Sequence, residues 1–141
     1  MKGLRLALVA FAMLLVATTT RAQQTTRVSA DIPFDFVVGD HTYPAGEYSL
    51  KSVLDDGSVI LIANMQTTAS RNVGSHPCAS TTRSTQTKLV FRKMGDNYFL
   101  YQVWLEGSFS GREFPNNRAE KLLAKRHEKS EQTVVAANFS Q

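Results

Sequence analysis

The sequence predicts a mainly β protein, an antiparallel β-sandwich or partly open barrel of about six to eight strands with one C-terminal α-helix. Two observations lead to this fold class. Most apolar residues fall in short runs that alternate with polar residues, and turn-forming glycine, aspartate and asparagine residues separate those runs. Only one segment, residues 117–129, has apolar residues at convincing helical spacing.

In the first half of the domain, the sequence predicts three strands separated by turns. Pro33 has no backbone N–H to donate, so the first strand should lie at a sheet edge or be kinked there. The turn Asp55-Asp56-Gly57 precedes a continuous apolar run, which is typical of a strand buried on both faces. The three predicted strands cover residues 31–38, 47–53 and 59–63.

The second half begins with a segment, residues 66–87, that is rich in serine and threonine and has no acidic residue. Structureless loops longer than about 12–15 residues are uncommon in compact domains, so we expect one or two short strands in this segment, one of them near residues 69–73, around a mobile tip. The clearest hairpin follows, with strands over residues 88–93 and 98–105 around the turn Gly95-Asp96-Asn97. Alternation would place Phe99, Tyr101, Val103 and Leu105 on one face of the second strand, and Tyr98, Leu100, Gln102 and Trp104 on the other.

The predicted helix begins at Asn117, a capping residue with Glu120 three positions later. A narrow apolar stripe of Ala119, Leu122 and Leu123 should dock this helix on a sheet. Residues 133–137 form either a last strand or part of a loose tail, and we favour the strand. The expected core residues are Phe34, Phe36, Tyr48, Leu61, Phe91, Phe99 and Val103.

The N-terminus has the three-part pattern of a secretory signal peptide. Lys2 and Arg5 precede an almost unbroken apolar run over residues 6–17, and Thr20 and Ala22 place small residues at the −3 and −1 positions of a cleavage site. The run is shorter than the ~20 residues that cross a bilayer. We therefore expect a signal peptide at residues 1–22, a single β-rich domain at residues 23–141, no transmembrane segment in the mature chain, and export to the periplasm or the cell exterior.

Removing the signal peptide changes the charge of the chain. The formal net charge of +4 includes Lys2, Arg5 and Arg21, so the mature chain carries about +1. That small excess excludes the strongly basic surface typical of nucleic-acid binding, and we expect no nucleic-acid partner. Cys78 is the only cysteine, so no intramolecular disulfide can form even though export permits disulfides.

Several sequence blocks together resemble a known group of proteins. The blocks are residues 32–40, 44–48, 88–91, 98–100, 103–104, 111–115 and 118–120. In these blocks the chain is similar to small signal-peptide-bearing secreted proteins of unknown function found in acidobacterial genomes. The resemblance implies an exported single-domain β-rich protein. It implies no activity, ligand or catalytic residue, and it does not extend to the stretch around His76 and Cys78.

No catalytic or metal-binding constellation stands out in the sequence. His76 and Cys78 are a base and a nucleophile close together, but two ligands do not make a zinc site. Asp35, Asp55 and Asp56 lack the regular oxygen-ligand spacing and closing carboxylate of a calcium loop. We therefore expect no catalytic residue, no metal and no cofactor. The alternative is a small hydrolase or metal-dependent enzyme that uses His76, Cys78 and aspartate residues.

The aromatic strand carries the clearest binding signal. Tyr98, Tyr101 and Trp104 would suit a cleft for an apolar or glycan ligand, although aromatic residues are also abundant in ordinary β cores. We predict an exported, non-catalytic β domain that binds a ligand or an envelope or extracellular partner, with these three residues as the ligand-binding candidates.

Overall fold

A computed structural model describes residues 26–126 and 129–140. The predicted fold class is confirmed, because 56% of these residues lie in strands and 7% in one C-terminal helix, and the sheets do not close into a barrel. The helix is α1 (Arg118–Lys125). The strands are β1 (Arg27–Ile32), β2 (Phe36–Val38), β3 (His41–Tyr43), β4 (Gly46–Ser52), β5 (Val59–Asn64), β6 (Ser70–Gly74), β7 (His76–Ala79), β8 (Lys88–Met94), β9 (Asn97–Trp104), β10 (Ser110–Glu113), β11 (Ser130–Ala136) and β12 (Asn138–Ser140).

Two sheets form the sandwich. The five-stranded sheet has the order β12-β1-β4-β5-β6, and the seven-stranded sheet has the order β11-β8-β9-β10-β7, with β2 beside β9 and β3 beside β2. All pairings are antiparallel except the short parallel contact of β2 with β9. The described residues contain more strands than the predicted six to eight, because several strands of three or four residues join these sheets.

The chain crosses between the sheets on both flanks of the sandwich. On one flank Ser75 separates β6 from β7, and on the other Ala137 separates β11 from β12. Each pair of strands lies at the edges of the two sheets. A strand near residues 69–73 is confirmed as β6, and the predicted last strand is confirmed as β11.

The predicted strand over residues 31–38 is divided in two. The first part, β1, ends at Ile32 in the five-stranded sheet, and the second, β2, begins at Phe36 in the seven-stranded sheet. Pro33 lies at the break, as expected of a residue that cannot donate to a strand ladder. Asp35 holds the corner, because its Oδ1 atom accepts the backbone N–H of Ala45 at 2.8 Å.

Most of the predicted core residues are buried. Phe36, Tyr48, Phe91, Phe99 and Val103 are all less than 10% exposed, and Phe34 is half-buried against the core. The prediction for Leu61 is wrong, because only the alternate residues Ile60 and Ile62 of β5 face the core. Because residues 59–63 are all apolar, the sequence does not show that only alternate side chains of β5 face the core.

A β-bulge at Tyr101 overturns the predicted faces of β9. Val90 pairs with Gln102 and Phe91 pairs with Leu100, so Tyr101 is an extra residue. The bulge shifts the alternation, and Leu100 and Val103 both join the main core. Phe99 lies beside α1 instead, where it lines a groove with Leu122 and Leu123.

The helix is shorter than predicted and docks differently. Asn117 caps it as expected, accepting the backbone N–H of Glu120 at 2.7 Å, but the helix ends at Lys125 and residues 127–128 lie outside the described residues. The prediction that an apolar stripe docks this helix is wrong, because Leu122 is 51% exposed and Ala119 is also exposed. The buried helix residue is Glu120. In the described part of the chain, no helix has the length and apolarity that crossing a membrane requires.

Glu120 is held by Arg92 of β8. The Nη1 atom of Arg92 lies 2.9 Å from Oε1 of Glu120 and also donates to Asn116 at 3.1 Å, while the guanidinium carbon lies 3.6 Å from the centroid of the Tyr101 ring. Asn117 adds a second attachment through its Nδ2 atom, which donates to the carbonyl of Gly39 at 2.7 Å. Polar contacts therefore fix the start of α1 on the outer face of the seven-stranded sheet.

Candidate functional site

A cleft of about 270 Å³ opens between the two sheets at one end of the sandwich. Its floor is aliphatic and comes from both sheets. The floor residues are Val28, Leu50, Ile60, Val103 and Leu105. The rim is polar and consists of Thr26, Ser52, Asp55, Asp56, Ser108 and Ser110, with Gly57, Gly111 and Arg112 at one side.

Strand register explains the aliphatic floor. Val28 of β1 lies directly opposite Leu50 of β4, and Ile60 of β5 pairs with Ser52 at the end of β4. Val103 approaches from β9 on the other sheet and pairs there with Arg112 of β10. These alternate positions face inward, so they continue the hydrophobic core up to the open end.

The turn between β4 and β5 forms the acidic part of the rim. The Asp-Gly turn is present as predicted: Oδ1 of Asp56 accepts the backbone N–H of Ser58 at 2.9 Å, and Gly57 has a φ angle of 70°. That hydrogen bond and the nearby Arg112 guanidinium lower the pKa of Asp56. Among the described residues the one ion pair within 4.0 Å is that of Arg92 with Glu120, so Asp55 has no cationic partner at that distance.

Ser75 links three elements beside the cleft. Its hydroxyl donates to the carbonyl of Gly57 at 2.6 Å, and its N–H donates to the carbonyl of Ser58 at 2.8 Å. Arg112 donates to the Ser75 hydroxyl through Nε and to the Ser75 carbonyl through Nη2, both at 3.1 Å. The turn and the Arg112 side chain therefore keep a fixed position relative to each other.

His76 and Cys78 lie on β7, opposite Glu113 and Gly111 of β10 respectively. His76 is exposed and Cys78 is half-buried. Burial, followed by the negative charge of Glu113, raises the pKa of the Cys78 thiol. A raised pKa lowers the thiolate fraction at neutral pH and so disfavours a nucleophilic role. In the stretches 26–126 and 129–140, no group of three or more His, Cys, Asp or Glu side chains is placed to hold a metal ion.

Each of the three aromatic residues predicted to bind a ligand contacts a different side chain of the protein. Tyr98 stacks on Phe34 with ring centroids 3.8 Å apart. Arg92 covers the ring of Tyr101, and the indole N–H of Trp104 donates to Oε1 of Gln102 at 3.0 Å. None of the three residues lines the cleft described above. Binding through them stays a prediction.

The main residues of the cleft were not singled out by the sequence, except for the turn aspartates. Arg112 and Ser75 are distant in sequence and meet because β7 pairs with β10. A partial signal was available in the alternation of β4, which places Tyr48 and Leu50 on one face, and in the Asp-Asp-Gly turn that follows it. Comparison with protein-family models, curated proteins and solved structures finds no match to this chain.

Proposed function

We propose that this protein is an exported, non-catalytic β-sandwich domain that binds a small ligand in the cleft between its sheets. The observation that carries the proposal is a concave site whose floor is aliphatic and whose rim is polar. Ligand pockets have this composition, because apolar contacts supply most of the affinity and a few polar groups fix the orientation.

The size of the cleft favours a small ligand over a macromolecular partner. Its volume of about 270 Å³ is near the lower end of ligand sites, which run from roughly 300 to 1,000 Å³. An engineered apolar cavity of about 150 Å³ is large enough to bind benzene in another protein. Burial of apolar surface contributes about 25 cal/mol for each Å² removed from water. A medium-length alkyl chain carries enough apolar surface to serve as a probe of the cleft.

The export part of the proposal depends on residues 1–22, with cleavage between Ala22 and Gln23. The intact mass of the protein recovered outside the cytoplasm tests it. A mass corresponding to a chain that begins at Gln23 is the expected result, and a chain that retains Met1 in the exported fraction would contradict it.

The binding part is tested with 1-octanol, a neutral alkyl probe, against the chain from Gln23 to Gln141. We expect saturable chemical-shift changes in an NMR titration at Val28, Leu50 and Val103, which line the cleft. Leu105→Trp should abolish them, because the larger side chain fills the space next to the half-buried Leu105.

Leu122→Trp is the matched control, since Leu122 is exposed on α1 and does not line the cleft. It should leave octanol binding unchanged. Thermal unfolding of both variants checks that they fold. Absence of saturable shifts in the unmodified protein would refute ligand binding in the cleft.

A further inference from the structure

We infer that the ligand of the cleft is a cationic amphiphile, with an aliphatic chain on the cleft floor and an ammonium group at Asp55. This inference rests on the proposed function and specifies its ligand. It is carried by three separate properties of the cleft: the type of side chain on its floor, the charge of its rim and the hydrogen-bonding state of its hydroxyl groups.

The floor favours an alkyl chain over a sugar or an aromatic ring. All five floor residues are aliphatic, and no Phe, Tyr or Trp is among the described residues that line the cleft. Stacking on aromatic rings is therefore not available to a planar or sugar ligand. Branched aliphatic side chains such as Val28, Leu50 and Ile60 instead make non-directional contacts that suit a flexible chain.

The rim carries more negative than positive charge. Asp55 and Asp56 lie on it, against the single cation Arg112. The Arg112 guanidinium directs two N–H groups to Ser75 and also contributes to the lowered pKa of Asp56. Neither aspartate has a cationic partner within 4.0 Å among the described residues, but Asp56 accepts the backbone N–H of Ser58. In that part of the chain, the exposed Asp55 is therefore the rim carboxylate with fewer contacts of its own.

The Ser52 hydroxyl on the rim also favours a ligand that donates hydrogen bonds. It donates its proton to the carbonyl of Leu54 at 2.6 Å, so its oxygen has lone pairs left to accept. The Ser108 oxygen is less available, because it already accepts the backbone N–H of Ser110 at 3.1 Å. An alkylammonium group has three donors and no acceptor, so it matches both the Ser52 hydroxyl and Asp55.

Three probes of equal chain length test the ligand class: octylammonium, 1-octanol and octanoate. At about pH 7 the amine is charged and the acid ionised. We expect octylammonium to bind about threefold to fivefold more tightly than 1-octanol at low salt, the range of a partly exposed charge pair. Octanoate should bind most weakly, because Asp55 and Asp56 repel it. The octylammonium advantage should shrink as salt is added.

Asp55→Asn should remove the preference for octylammonium and leave 1-octanol binding unchanged. Asp96→Asn is the matched control, because Asp96 is exposed in the turn between β8 and β9 and does not line the cleft. It should change neither dissociation constant.

The outcomes separate this inference from the proposed function. Equal binding of octylammonium and 1-octanol, or tighter binding of octanoate, overturns the ligand class and leaves a cleft that binds alkyl chains. A loss of 1-octanol binding in Asp55→Asn overturns the role of Asp55 as the acceptor of the head group. Failure of all three probes to bind overturns both the inference and the proposed function.

Discussion

The two ends of the sandwich are packed in different ways. At one end an aromatic cluster packs between the sheets, and at the other end aliphatic residues line the cleft. The cluster consists of Phe34, Phe36, Tyr43, Tyr48, Phe91 and Tyr98, with neighbouring ring centroids 3.8 to 5.9 Å apart. Large rings reach further across the gap between the sheets than smaller branched side chains do, so the two regions differ in the size of the side chains that meet there.

The two ends also differ in the elements that their polar contacts hold in place. Near the aromatic cluster, α1 is fixed to that sheet by the Arg92–Glu120 ion pair. At the cleft end, polar contacts through Ser75 fix the turn after β4 and the Arg112 side chain. Aromatic rings in mutual contact therefore characterise one end, and a polar rim around an aliphatic cleft characterises the other.

The largest expected effect compares a core position at each end. Phe91→Ala should lower the free energy of unfolding by about 3–5 kcal/mol, because it removes a fully buried ring that contacts Phe34 and Phe36. Leu105→Ala should lower it by about 1 kcal/mol or less, since Leu105 is half-buried beside the cleft. Urea unfolding measures both changes. Equal losses would mean that the two ends are packed alike.

The attachment of α1 is the next largest effect. Arg92→Met should cost about 3 kcal/mol, because it leaves Glu120 buried without its cation and removes the contact with Tyr101. Lys93→Met is a matched control on the same strand, with Nζ 5.6 Å from the centroid of the Tyr98 ring, and should cost about 1 kcal/mol or less. Similar losses in the two variants would refute a special role for Arg92.

Two tyrosines of the aromatic cluster should respond to the same substitution with opposite signs. Among the described residues, the hydroxyl of Tyr43 is the one buried side-chain polar atom without a hydrogen-bond partner. Tyr43→Phe should therefore raise the free energy of unfolding by about 1 kcal/mol. Tyr48→Phe should lower it by about 1 kcal/mol, because the Tyr48 hydroxyl donates to the carbonyl of Pro44 at 2.8 Å. A loss of stability in Tyr43→Phe would contradict this reading of the cluster.

The smallest expected effect is the pH dependence contributed by Glu120. Burial raises the pKa of the Glu120 carboxyl above its ordinary value, and Arg92 only partly opposes this rise. A raised folded-state pKa means that the contribution of Glu120 to stability is complete below the unfolded-state pKa and is lost as the pH rises through the folded-state pKa. As the pH falls from about 7 to about 4, the free energy of unfolding of the unmodified protein should therefore rise relative to that of Glu120→Gln. Urea midpoints of both proteins across this range measure the effect, and a relative loss at low pH would contradict it.

Local signals in the sequence were sufficient for much of the fold. Gly95 and Asp96 form a turn between two strand-like runs, which is a local hairpin signal, so β8 and β9 were predictable. Asn117 identified the start of α1, because a capping side chain acts within one helical turn. Pro33 identified the break between β1 and β2 for an equally local reason.

Features that depend on distant partners were not predictable. Glu120 resembles a solvent-facing residue of a charged helix, and its burial depends on Arg92, which is 28 positions away. The bulge at Tyr101 leaves no trace in composition, yet it changes which residues of β9 face the core. The cleft also depends on distant partners, because residues from both sheets line it and no sequence motif within a single strand indicates it.

The two crossings of the chain at Ser75 and Ala137 restrict how the two sheets can move apart. Each crossing joins edge strands of both sheets, so the sheets are tied by covalent backbone along both flanks. Separation of the sheets at Ser75 would have to break the pairing of β6 with β5 or of β7 with β10. At Ala137 it would have to break the pairing of β11 with β8 or of β12 with β1. A ligand of the proposed kind would therefore enter and leave through the open end, past the turn that carries Asp55.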